Sequence, residues 1–125
     1  MRLAVIPAHT QGISSVCFSN SGQYVFSASL DKTVKQWSLD RHSLTKTFEG
    51  HLAAVKCIAI SSDDTYLFSG SGDNNIIQWN TCDASVKQKF YYNSNIMSLA
   101  LSVDDETLIS GSSDCSVIIW DVHTA

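Results

Sequence analysis

His51, Ser69 and Asp73 carry the side chains of a nucleophilic centre: a hydroxyl to attack, an imidazole to take its proton and a carboxylate to orient the imidazole. The same types recur as His9, Ser27 and Asp31, and each set is followed by a tryptophan, Trp37 or Trp79. Asp31, Asp73 and Asp114 lie 42 and 41 residues apart, and so do Trp37, Trp79 and Trp120. A catalytic centre has no reason to be copied at a fixed period, whereas a structural unit does. We therefore expect no catalytic residue in this chain. The third copy departs from the pattern: the position 28 residues before Trp120 is Tyr92, where the first two copies have His9 and His51.

Other reactive groupings are weaker. Asp63-Asp64 and Asp104-Asp105-Glu106 suggest a cation site, yet both fall in the same turn of the repeat, which favours solvated turn chemistry. Gly70-Ser71-Gly72 opens no helix and no Gly-Lys-Ser/Thr follows it, so it is not a phosphate loop. Cys17, Cys57, Cys82 and Cys115 never form Cys-x-x-Cys and lack zinc-ligand spacing; we expect free thiols, no metal and no cofactor. His42 and His123 read as surface residues. With 12 acidic against 8 basic side chains and a net charge of −4, the chain offers no basic patch for nucleic acid, and Lys87 and Lys89 read as one solvated strand face.

The elements that must position these residues are short strands. Tyr24–Trp37 reads YVFSASLDKTVKQW, Tyr66–Trp79 reads YLFSGSGDNNIIQW and Thr107–Trp120 reads TLISGSSDCSVIIW. Each copy is an apolar run too brief for a helix, a turn at Asp, and a second run closing on Trp: a β-hairpin. Before each hairpin lies another apolar run, at Ile13–Ser19, Val55–Ser61 and Ile96–Ser102, and after the first two lie outer strands at Leu44–Phe48 and Ser85–Phe90. Arg2–Ile6 is a further strand candidate, stopped by Pro7, which has no amide to donate. The third copy ends one strand short.

The Gly50-His51 start, the Ser69–Asp73 turn, the closing Trp120-Asp121 and the period near 42 resemble the WD-repeat β-propeller family, over about His9 to Asp121. The resemblance implies an all-β fold: a WD-repeat β-propeller segment over residues 1–125, with repeats at about 9–48, 51–90 and 92–125. It implies three blades of four-stranded antiparallel sheet, an open propeller unless dimerisation or further repeats complete it. It also implies a hydrogen-bond network in each blade, from Trp indole to Ser hydroxyl to His to Asp: His9, Ser27, Asp31 and Trp37; His51, Ser69, Asp73 and Trp79; and Ser110, Asp114 and Trp120 without a histidine.

The function such a fold implies is a scaffold for protein binding within a multiprotein assembly, with no catalysis of its own. The alternative is a non-catalytic appendage of a larger enzyme such as a kinase or ubiquitin ligase, and an RNA-binding propeller is the weakest reading. Expected partners are other proteins, with no nucleic acid and no membrane, through a rim carrying Gln11, Leu30, Leu52, Asn74, Asn93 and Asn95. Leu30 and Leu52 stand out as apolar residues in loops. Three blades leave two open ends, to be closed by further repeats or by a homodimer in which Arg2–Ile6 of one copy supplies the strand that the third blade of the other lacks. With no apolar run of membrane-spanning length and no leader pattern, we expect an intracellular protein, cytoplasmic or nuclear.

Overall fold

Turn chemistry at fixed intervals cuts the chain into strands of five to seven residues. The computed structural model describes residues 1–123, and these form eleven strands in three antiparallel sheets. The first sheet runs in sequence order through β1 (Ile13–Phe18), β2 (Tyr24–Ser29), β3 (Thr33–Ser38) and β4 (Ser43–Glu49). The second repeats it with β5 (Val55–Ile60), β6 (Tyr66–Ser71), β7 (Asn75–Asn80) and β8 (Ser85–Tyr91). The third has only β9 (Ile96–Leu101), β10 (Thr107–Ser112) and β11 (Val117–Asp121).

The turns share one geometry. The hairpins that join the second and third strands of each sheet place Lys32, Asn74 and Cys115 in the left-handed region, with φ of 77°, 72° and 73°. Those that join the first and second place Gly22, Asp64 and Asp105 there, with φ of 76°, 63° and 62°. Glycine has no Cβ to clash in this region, and Asn or Asp tolerates it through local hydrogen bonds. The register is equally regular: Phe26 faces Gln36, Phe68 faces Gln78 and Ile109 faces Ile119 at the same place in the three sheets.

The core lies between sheets. Phe26, Val34 and Phe48 of the first blade pack against Val55, Leu67, Ile77 and Trp79 of the second. On the other side of the second blade, Cys57, Phe68, Ile76 and Phe90 pack against Ile96, Leu108, Trp120 and Val122. The middle sheet is therefore covered on both faces, which explains why Leu67 through Ser71 are all buried instead of alternating. Gly70 lets the second blade pack tightly against the third, because a Cβ there would lie 2.5 Å from Cγ2 of Ile96 and also 2.7 Å from Sγ of Cys57 in its own sheet.

Among the described residues the third sheet has three strands, in keeping with a third copy that ends one strand short. One expectation needs correction. Residues 2–6 are not in a strand: a short apolar run does not suffice to make one without a neighbouring strand to take its amides and carbonyls. The last two positions of the third repeat, 124 and 125, lie outside the described residues.

Candidate functional site

In the second blade the side chains of His51, Ser69, Asp73 and Trp79 meet where the end of β6, the β6–β7 turn and the segment before β5 converge. The Trp79 indole donates to Ser69 Oγ at 2.7 Å, and Ser69 Oγ lies 2.7 Å from His51 Nε2. His51 Nδ1 lies 2.9 Å from Asp73 Oδ2, which also accepts the Leu52 amide at 2.9 Å, while Asp73 Oδ1 accepts the Asn75 amide. Asp73 can only accept, so Nδ1 carries the imidazole proton, and Nε2 is left to accept from the serine hydroxyl. Every proton in the chain has one acceptor.

The first blade repeats this arrangement. Trp37 donates to Ser27 Oγ at 2.9 Å, Ser27 lies 2.7 Å from His9 Nε2, and His9 Nδ1 lies 2.8 Å from Asp31 Oδ2. Thr33 adds its hydroxyl and amide to Asp31 Oδ1. In the third blade Trp120 donates to Ser110 Oγ at 2.9 Å, and Tyr92 takes over the contact with the acid by donating its hydroxyl to Asp114 Oδ2 at 2.6 Å.

The electrostatics follow from this geometry. Burial pushes the Asp31 carboxyl up, but hydrogen bonds from Thr33 and His9 outweigh it and hold the group at about 2. Asp73 is likewise raised by burial and held lower on balance by the Leu52 amide and His51. Burial keeps the His51 imidazole below its usual value, against the opposing pull of Asp73. The geometry has the order of a Ser-His-Asp triad, but the serine hydroxyl already receives an indole proton, and Ser69 has no exposed surface. A substrate carbonyl has no line of approach to such an oxygen. The thiols at Cys57 and Cys17 are also poor nucleophiles, pushed by burial to about 12 and, with a further contribution from Asp64, to about 11.

The six rim residues share the end of the sheets at which these networks lie. Leu52 is 81% exposed, directly beside the buried His51, and its own amide is fixed by Asp73. Leu30, Gln11 and Asn93 are also exposed, whereas Asn74 and Asn95 are half-buried and tied in by their carbonyls, which accept from Tyr92 and Ser113. No group of His, Cys, Asp and Glu among the described residues has the arrangement of a metal site. Among the described residues no helix is long and apolar enough to cross a membrane.

Sequence reasoning missed the part played by two of the acidic turns. Asp64 is not simply solvated: it accepts from the amides of Asn20 and Ser21 and from the Asn20 side chain, at 2.7 to 3.0 Å, all in the preceding blade. Asp105 does the same to the amide and hydroxyl of Ser62. No local feature of the sequence signalled this, because the partners lie 43 to 44 residues back in a neighbouring blade.

Residues 1–38, 42–80 and 84–121 each match the family described as WD domain, G-beta repeat. Among solved structures, that of U3-55K superposes with a TM-score of 0.91 at 28% sequence identity, over 96% of this chain and 39% of that one. This chain thus spans about two fifths of the length of U3-55K. A comparison with curated proteins gives no match.

Proposed function

We propose a protein-binding role for this chain, which belongs to the WD domain, G-beta repeat family: it is a rigid segment of a β-propeller that presents a loop rim to other proteins and performs no chemistry. The domain is read as one segment over residues 1–125, with repeats at about 9–48, 51–90 and 92–125. In this reading the His, Ser, Asp and Trp networks are internal fasteners. They hold the β2–β3 and β6–β7 turns against the sheets with their polar groups satisfied, so that the rim is preorganised.

The observation that carries the reading is Leu52. A large apolar side chain standing almost wholly in solvent, on a backbone fixed by the Asp73 carboxylate, has the features of an anchor for a partner's pocket. Leu30, also exposed, lies at the matching end of the first blade. Partner binding is tested by comparing the proteins that co-purify with the wild type and with the Leu30→Asp/Leu52→Asp double variant. Loss of bound proteins with an unchanged Tm supports the rim as the binding surface; an unchanged set of bound proteins overturns it.

A further inference from the structure

The second blade has a neighbour from this chain on each side, so its rim is flanked as that of a blade inside a propeller is. At its β6–β7 turn Gly72 leaves a notch. A Cβ there would lie 3.5 Å from Cε of Lys56, 3.6 Å from Cβ of Ala53 and 3.7 Å from Oδ1 of Asn95, which belongs to the third blade. The matching turns, identified by the same backbone hydrogen bond, have Leu30 in the first blade and Ser113 in the third. The notch is thus particular to the second blade.

Its polar groups are unused. The two ion pairs among the described residues are those of His9 with Asp31 and of His51 with Asp73, so Lys56 has none. Asn95 uses its backbone carbonyl, which accepts from the Ser113 amide, and leaves its side chain facing the notch. The carboxylate next to Gly72 does not serve Lys56: Asp73 is turned inward, with Oδ2 taking His51 and the Leu52 amide and Oδ1 taking the Asn75 amide. Half-buried Lys56 therefore lays its stem against the notch and brings an ammonium without a counter-charge to the rim. Beside it, Ala53 and the 81%-exposed Leu52 form an apolar shoulder.

We infer that the notch takes an acidic side chain of a protein partner, set next to an apolar residue that packs on Leu52. The carboxylate accepts from Lys56, and the backbone amide of the same residue donates to Asn95 Oδ1. A neutral amide side chain would fill the space but leave the ammonium uncompensated. The inference rests on the rim reading and adds to it the charge of the partner.

The distribution of charge favours the same surface. The opposite end of the sheets carries the turns Asp63-Asp64 and Asp104-Asp105-Glu106, which repel an acidic segment. At the rim, Asp31, Asp73 and Asp114 are held in hydrogen bonds, Glu49 stands off at the end of outer strand β4, and exposed Lys32 adds a second amine at the turn of the first blade. An acidic segment is therefore steered to the rim.

The test is a titration of the isotope-labelled chain with two capped peptides, followed by amide chemical shifts in NMR. One peptide alternates leucine and glutamate; the other has lysine in place of glutamate. The glutamate peptide is expected to shift the amides of Leu52, Ala53, Gly72 and Asn95 and to bind at least tenfold more tightly, with an advantage that shrinks as salt is raised. Lys56→Glu reverses the charge, and Gly72→Leu fills the notch where an added Cβ meets only ordinary contacts. Each leaves the circular dichroism spectrum unchanged and weakens binding at least tenfold, whereas Lys87→Glu, at the other end of the sheet, leaves it unaltered. Equal binding of the two peptides, no shift with either at millimolar concentration, shifts confined to other residues, or indifference to Lys56→Glu would each overturn the inference. If that happens while the Leu30→Asp/Leu52→Asp variant still loses bound proteins, the rim reading stands and the acidic partner alone falls.

Discussion

Tyr92 donates its hydroxyl to Asp114 at 2.6 Å and stacks edge-on against Trp120, yet Ser110 has only the indole for a partner. In the other blades an imidazole bridges the serine and the acid with its two nitrogens. A phenol has one polar atom and can reach only one of them. Tyr92→His should restore the bridge, adding about 1 kcal/mol for the new hydrogen bond to buried Ser110, or ~3 °C in Tm. Thermal melting and hydrogen exchange of β10 amides check this; no gain in either would show that the third blade cannot seat the ring.

Stability should fall in acid in two stages. The folded-state pKa of His51 lies below the usual 6.5, so the unfolded chain takes up the proton first, and stability is lost as pH falls below 6.5. Asp31, at about 2 when folded against the usual 3.8, contributes stability that is complete above 3.8 and lost as pH falls from there toward 2. Denaturant melts across this span should show both stages, and His51→Gln should flatten the upper one. An upper stage that persists in that variant would assign it to another group.

Much of this arrangement was legible in the sequence. Constant spacing singled out the His, Ser, Asp and Trp residues that come within hydrogen-bonding reach, and the turn residues marked out the strands. The latches at Asp64 and Asp105 were not legible, because their partners lie 43 to 44 residues back in a neighbouring blade and nothing local separates a latching carboxylate from a solvated one. Residues 2–6 were misread for a related reason: a short apolar run becomes a strand only where an edge is present to pair with it. Nor could periodicity tell that Phe18 is exposed while Ile60, one period on, is half-buried, because coverage depends on which blade comes next to which.

Close blade packing makes a paired prediction at two glycines. Gly70→Ala places a methyl group 2.5 Å from Ile96 and should cost about 2 kcal/mol by overpacking. The equivalent Gly111→Ala on the uncovered third blade meets nothing nearer than 3.7 Å and should be near neutral. Equal effects in urea denaturation would mean that the second and third blades do not pack as described.

The central claim is that the recurring serine is a fastener and not a nucleophile, and Ser69→Ala tests it most directly. We predict a Tm lower by several degrees, corresponding to about 2 kcal/mol for leaving the Trp79 indole and the His51 imidazole buried without their partner. Binding of partner proteins by the folded fraction should persist, and hydrolysis of an activated ester should be no different from that of the wild type. An unchanged Tm together with loss of a measurable esterase activity would contradict the account.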